Sequence, residues 1–285
     1  MRDSLQRTPY DLEAAAPPAE AGPPGESAAS RYDSDTLDRR SARFIERVLP
    51  AAEWFSARYF QLRHRGREHI PQGPVLFVAN HNGGIMGPDL MCTLPLLWRH
   101  LGPASPLYAL AHDFAMRQFT PLGSLLQKVG AIRACRPNAE RVLRRGGQVL
   151  VYPGGDLEAY RSFQRRNEIV LLPRTGFVEV ARELQVPIVP IVAYGAHRSA
   201  YIFSEGERLA RLLQLRKWAR LERFPLALAL PWGLALGPWL PYLPLPFPIE
   251  LRVLPAVHVP PSEPAERSAA HIQSLMQSAL SEMAR

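Results

Sequence analysis

The stretch that decides the fold is Val75-Leu76-Phe77-Val78-Ala79-Asn80-His81-Asn82-Gly83-Gly84-Ile85-Met86-Gly87-Pro88-Asp89. Its first five residues are all apolar, which fits a strand buried on both faces; a half-exposed strand would alternate. The run delivers Asn80 and His81 to its carboxyl end, where open α/β sheets collect ligands. Gly83 and Gly84 permit a tight loop in which backbone can approach a substrate. Gly87-Pro88 reads as a helix start, with Pro88 at the first position and Asp89 just behind it. Such a loop can fold Asp89 back onto one ring nitrogen of His81 and leave the other to take a proton from an alcohol. The carboxylate would then fix the tautomer and stabilise the imidazolium. A buried strand followed by an ordinary turn satisfies the same letters, so the stretch alone leaves both readings open.

Outward from it, short apolar runs alternate with helical segments. The runs are Val75–Ala79, Leu107–Ala111, Val149–Tyr152, Ile188–Val192 and Leu251–Leu254. Helical spacing falls on Asp89–His100, Phe114–Val129, Pro137–Arg145 and Thr175–Leu184, and a last amphipathic helix on Pro264–Met283, with Ser262 as its cap. This alternation predicts an α/β layered domain with a mainly parallel sheet flanked by helices. Gly146-Gly147 ends one helix before the strand that follows. The two prolines of Val186-Pro187-Ile188-Val189-Pro190-Ile191 predict an edge or irregular strand.

The chain divides into three parts. Residues 1–35 are rich in Ala, Pro, Glu, Gly and Ser and read as a disordered tail, because they lack apolar surface to offset their ordering entropy. Residues 36–67 read as an amphipathic basic helical segment, split by Pro50, with Trp54 and Phe55 beside arginines such as Arg43, Arg47 and Arg58. That pattern fits a membrane interface or, equally, a surface helix with a solvated basic face. Residues 68–285 form the α/β domain. Within it, Phe224–Ile249 carries no charge at all. It is long enough to span a bilayer, but interior prolines at 231, 238, 241 and 244 each cost roughly 3 kcal/mol in a helix. The segment therefore reads as an apolar surface dipping into a leaflet, the wall of an acyl-chain pocket, or buried loops.

Composition bounds the function. With 47% apolar and 21% charged residues the chain is globular. Cys92 and Cys135 make no disulfide framework and lack metal-ligand spacing, so no metal is expected. Residues 1–35 hold seven acids and three bases, leaving 31 bases and 19 acids in the remainder. A basic body suggests an anionic partner: nucleic acid, a membrane surface or a phosphorylated substrate. The bases cluster on the N-terminal helix and are not interleaved with aromatics, which argues against nucleic acid. No apolar h-region follows the N-terminus, so the expected location is the cytoplasmic side of a membrane, peripheral or monotopic.

Further candidates come from Tyr152-Pro153-Gly154-Gly155-Asp156-Leu157-Glu158-Ala159-Tyr160-Arg161 and from Gly130-Ala131-Ile132-Arg133. The glycines Gly154 and Gly155 expose backbone N–H groups, Glu158 can accept from a substrate hydroxyl, and Arg161 or Arg133 can meet a phosphate. A plain turn with solvated charges is the simpler local reading.

Taken in order, Asn-His, Gly-Ala-Ile-Arg, Tyr-Pro-Gly-Gly-x-x-Glu-Ala and Val-Pro-Ile-Val-Pro resemble the glycerolipid (lysophospholipid) acyltransferase superfamily over roughly residues 58–256. The Pro-Gly-Gly-x-x-Glu form and Arg-Thr-Gly-Phe-Val-Glu-Val-Ala are similar to the branch of type 2 diacylglycerol acyltransferases and their bacterial relatives. The resemblance implies acyl transfer from acyl-CoA, a co-substrate in a reaction needing no cofactor, to a lipid alcohol at a membrane surface. It assigns His81 as catalytic base and Asp89 as its orienting carboxylate. Asn80, Gly83, Gly84, Gly154, Gly155, Glu158, Arg133 and Arg161 fall among the substrate-binding positions. One departure stands out: the usual aspartate position, five after the histidine, holds Met86, and the next acid is Asp89. The Pro-Glu-Gly-Thr-Arg form is also replaced, which removes one phosphate anchor and tilts the acceptor towards a neutral hydroxyl. The alternative is a non-catalytic lipid-binding membrane-surface protein that keeps the fold, with Met86 as its support.

Overall fold

The computed structural model describes residues 32–113, 116, 120–218, 221–237 and 242–285. The expected tail up to residue 31 and much of the expected helical turn over 114–119 lie outside them. In chain order the elements are α1 (Ala42–Arg58), β1 (Arg63–Arg65), β2 (Val75–Ala79), α2 (Pro88–Leu101), β3 (Leu107–Ala111), α3 (Thr120–Lys128), β4 (Ala131–Arg133), α4 (Arg136–Arg144) and β5 (Gln148–Val151). There follow α5 (Gly155–Ala159), α6 (Gly176–Leu184), β6 (Ile188–Tyr194), β7 (Tyr201–Ser204), α7 (Glu207–Leu212), α8 (Leu215–Trp218), β8 (Leu226–Ala229), β9 (Gly233–Leu236), β10 (Glu250–Val253) and α9 (Ala265–Met283).

Seven strands form one sheet in the order β1-β10-β6-β2-β5-β3-β4. The five strands from β6 to β4 are mutually parallel, and β10 runs antiparallel to β6. Strand β2 is central, with all five residues buried. Its residues divide between two cores. Leu76 and Val78 join residues of α4, α6 and α9, such as Val142, Phe177 and Ile272. Val75, Phe77 and Ala79 join residues of α1 and α2, such as Ile45, Leu49 and Leu96. A strand covered on both faces must be apolar at every position, which is why the run does not alternate.

Several expectations are corrected. Pro50 does not divide the N-terminal segment: α1 is one helix through it, capped by the Ser41 side chain, which accepts from Phe44 N. The helical segment also stops earlier than expected, because Arg63–Arg65 pairs with β10. The last four residues of the expected tail include three that are tied to the body, for Asp33 O accepts from Gln127 Nε2, Ser34 O accepts from Arg133 N and the Asp35 carboxylate pairs with Arg133. Strand β6 is internal, not an edge. Pro190 is tolerated because its carbonyl accepts from Leu254, just where β10 runs out, so its missing N–H disturbs no donor to β2. Ser262 does not cap α9; Pro264 occupies that position. The uncharged segment supplies β8 and β9, which with β7 make a second, antiparallel sheet of three strands.

Candidate active site

The loop after β2 is shaped by three glycines in the left-handed region, Gly83 (φ 74°), Gly84 (φ 69°) and Gly87 (φ 49°). A side chain at Gly83 would place its Cβ 2.8 Å from the Ala196 carbonyl, and one at Gly84 would place it 2.6 Å from the Tyr242 hydroxyl. The turn spends Gly84–Met86 and then starts α2 with Pro88 and Asp89 in its first turn. A carboxylate there is favoured by the exposed N–H groups at the helix N-terminus.

Asp89 is fully buried and its Oδ2 lies 3.0 Å from His81 Nδ1. The same oxygen accepts from Asn82 N at 3.1 Å. A carboxylate acceptor puts the proton on Nδ1 and leaves Nε2 as the ring's lone-pair nitrogen. The imidazole is 21% exposed and packs at a tilt on Tyr152, ring centres 4.8 Å apart. Burial pulls the His81 pKa down, but the charge and hydrogen bond of Asp89, helped by Glu158, outweigh it and the net shift is upward.

The backbone of His81 is held on both sides. Its N–H donates to Glu158 Oε2 at 2.8 Å, and its carbonyl accepts from Arg161 Nη1 at 2.9 Å. The other oxygen of Glu158 accepts from Val170 N at 2.9 Å. Glu158 is fully buried, which raises its pKa despite the nearby Arg161 and the two N–H donors. Arg161 is also fully buried, and its Nη1 donates again to Glu158 O. Nε donates to Arg165 O, and Nη2 to Asn82 Oδ1 and Arg166 O. All five N–H bonds of the guanidinium are thereby committed within the protein.

These contacts change the roles expected from sequence. Arg161 has no donor left for a substrate phosphate, and both oxygens of Glu158 serve backbone amides. Gly154 makes room for Glu158, whose Cγ would lie 2.3 Å from an added Cβ; Gly155 makes room for Arg174, whose Nη1 would lie 2.6 Å away. Gly155 N–H donates to Tyr152 O, so it is not free for a ligand. Asn80 is buried and exchanges two hydrogen bonds with the backbone of Ala193, stitching the end of β2 to β6. Arg133 sits at the end of β4, three strands from β2, with Nε and Nη2 both donating to Asp35. Among the described residues no group of three His, Cys, Asp or Glu side chains could hold a metal.

Sequence reading missed several residues. His197 is buried behind the loop; its Nδ1 accepts from Gly83 N at 3.2 Å and its Nε2 lies 2.7 Å from Arg161 O. Burial and the adjacent Arg161 lower its pKa to about 3. Arg174 pairs with Asp156 at 3.1 Å, both buried, and donates to the Pro153 and Gly154 carbonyls, fixing the turn from which Glu158 projects. The Tyr242 hydroxyl donates to Gly83 O. The signal for His197 was available: it follows β6, the parallel neighbour of β2, at the same sheet edge.

Comparison with known proteins relates part of the chain to a family. Residues 61–194 match the sequence model of the Acyltransferase family. The matched residues, a little under half of the chain, are similar in sequence to that family. The match spans β1 through β6 and so holds His81, Asp89, Glu158 and Arg161. An uncharacterised protein of Mycobacterium tuberculosis (strain ATCC 25618 / H37Rv) is 31% identical over 182 residues, 63% of this chain and 50% of that protein. A human protein named "DGAT1/2-independent enzyme synthesizing storage lipids" is 30% identical over 149 residues, 52% of this chain and 44% of the relative. The chain thus spans about half the length of the curated relatives it matches. The crystal structure of a 1-acyl-sn-glycerophosphate acyltransferase, PlsC, from Thermotoga maritima superposes with a TM-score of 0.52 at 16% identity, covering 84% of this chain and 82% of that one. That likeness concerns the fold. The resemblance to the glycerolipid acyltransferase superfamily therefore holds, as does the α/β class. Among the described residues no helix is long and apolar enough to cross a membrane.

Proposed function

We propose that this chain moves a fatty acyl group from acyl-CoA to a hydroxyl of a glycerolipid, working as a peripheral protein on the cytoplasmic side of a membrane. The observation that carries the reading is the His81 Nδ1–Asp89 Oδ2 hydrogen bond of 3.0 Å at the carboxyl end of the central strand. In this scheme His81 Nε2 takes the proton of the acceptor hydroxyl as its oxygen attacks the thioester carbonyl. The tetrahedral intermediate then expels the CoA sulfur, and the imidazolium returns the proton to it. Asp89 holds the ring and balances its transient charge. The non-catalytic alternative rested on Met86, and Asp89 takes away that support by filling the role from three residues further on.

A neutral acylglycerol is the favoured acceptor. Of the two arginines available for an acceptor phosphate, Arg161 has spent its five donors and Arg133 is engaged by Asp35. The name of the human relative, a storage-lipid enzyme, agrees with a neutral acceptor.

The experiment is an acceptor screen with purified protein and labelled acyl-CoA, comparing mono- and diacylglycerols, lysophospholipids and long-chain alcohols by product mass. His81→Ala should lower turnover by about 10²–10⁴-fold, the usual contribution of a general base. A folded His81→Ala protein that turns over like wild type overturns the assignment.

A further inference from the structure

We propose that the outer face of the β7–β8–β9 sheet is the surface by which this chain sits on an anionic membrane leaflet. The sheet is inside out for a sheet in water. In the β8–β9 register Leu226 faces Leu236 and Leu228 faces Leu234, while Ala227 faces Ala235. The large side chains point outward: Leu234 is 66% exposed, Leu236 54% and Leu228 47%. The alanines point inward, with Ala229 and Ala235 buried. Tyr201, paired with Leu228, and Phe203 two residues on extend the outer face onto β7. A soluble sheet buries its large apolar face and leaves small or polar residues to solvent. A contiguous exposed apolar face of this kind marks an interaction surface.

Charge selects the occupant. From Phe224 to Ile249 the chain has no Asp, Glu, Lys, Arg or His, so no charge in β8 or β9 resists leaving water. The connection from β7 to β8, residues 205–223, holds six bases against three acids, and Arg208 and Lys217 are exposed there. An uncharged apolar centre bordered by bases matches an anionic leaflet, to which each cation near the surface adds attraction. A second copy of the chain would bring like-charged borders together. The inner, alanine face of the sheet lies over the His81 loop across a narrow crevice lined by Gly84, Tyr160 and Tyr242. The leaflet would therefore lie on the far side of the sheet from the candidate dyad. The proposal rests on the lipid-acceptor reading for its purpose alone, since docking is measured without catalysis.

The test is flotation of the full chain with vesicles of phosphatidylcholine and of phosphatidylcholine mixed with phosphatidylglycerol. Wild type should float with the mixed vesicles and less with phosphatidylcholine alone. The double variant Leu234→Asp/Leu236→Asp should lose at least about tenfold in vesicle affinity. Trp54→Asp, on the exposed face of α1, should bind as wild type does. Unchanged flotation of the double variant overturns the proposal, as does loss on Trp54→Asp with the double variant intact. A wild-type dimer in light scattering that the double variant dissolves also overturns it, in favour of a second copy. Should the double variant fail to fold, quenching of wild-type fluorescence by vesicles of brominated phosphatidylcholine mixed with phosphatidylglycerol, reduced in Trp232→Phe, supports the docking face, and equal quenching in both refutes it. In detergent micelles the double variant should transfer acyl groups as wild type does. A wild type that floats but transfers to no acceptor defeats the enzymatic reading and leaves the docking surface standing.

Discussion

Replacing Glu158 by glutamine separates two roles for that residue: holding the histidine, or binding the acceptor. Glu158 is fully buried, and its two oxygens accept from His81 N at 2.8 Å and Val170 N at 2.9 Å. Glutamine has the same shape but a single acceptor oxygen, so its NH2 group must face one of the two amides. One buried N–H is left unsatisfied at a cost of about 1–3 kcal/mol. Losing the charge beside Arg161 adds to this. The addition is softened because the guanidinium keeps its carbonyl acceptors and because burial already disfavours the charged form of Glu158. The net expectation is a loss of roughly 2 kcal/mol from a total that for folded domains is about 5–15 kcal/mol. The His81 amide, pushed from its anchor, takes the imidazole with it, and a displacement near 1 Å is worth about 10²-fold in rate. Urea unfolding and steady-state acyl transfer read the two effects. Glu158→Gln should lower the urea midpoint and kcat while leaving the acceptor KM nearly unchanged. A folded variant with wild-type stability and kcat but an acceptor KM raised tenfold or more would refute the positioning role and restore substrate binding.

Three further outcomes follow from the same geometry. Because Asp89 lifts the His81 pKa and the base must be neutral to act, kcat/KM should rise with pH along a limb lying above 6.5, the ordinary histidine value. In Asp89→Asn the largest upward influence is gone while burial, Glu158 and Arg161 remain, so the limb should move to lower pH while kcat falls about 10²–10⁴-fold; coincident limbs would sink the dyad. His197 is held neutral with a folded pKa of about 3 against 6.5 when unfolded, so only the unfolded chain gains its proton as pH falls through that window. Stability should decline below pH 6.5 by up to about 1.4 kcal/mol per pH unit from this group, and His197→Gln should flatten the slope in urea titrations at successive pH values. Arg133→Gln should lower the urea midpoint by releasing Asp35, whose carboxyl is held below its usual range by Arg133 and Asn138 against the upward push of burial; a raised KM for lysophospholipid with unchanged stability would return Arg133 to the phosphate site.

The core architecture was legible because burial imposes periods on a sequence. Val75–Ala79 had to be apolar throughout once covered on both faces, β3, β5 and β6 left nearly the same trace, and β10 showed itself by alternation, with Leu251 and Val253 buried. The three-residue strands β1 and β4 left none, since Arg63–Arg65 is exposed along its length and a three-residue strand is too short to show a period. Over its described residues the uncharged segment is non-helical, as its prolines predicted. That it forms β8 and β9 was hidden, because alternation of leucine with alanine carries no polar contrast.

By itself, then, the sequence determined the inner strands of the sheet, the place of His81 at its carboxyl edge and the family resemblance of its motifs. Folding alone decided which polar groups are spent. Arg161 looks like a phosphate anchor until the carbonyls of His81 and Arg166 and the side chain of Asn82 close around it. Glu158 looks like a substrate acceptor until two amides, 77 and 12 residues away in the chain, take its oxygens. A residue type states what it can bond to, whereas whether that capacity is free depends on partners brought near by the whole fold. Met86 and Asp89 show the same division. The spacing of the letters put the carboxylate in question, and three left-handed glycines brought it back to the ring.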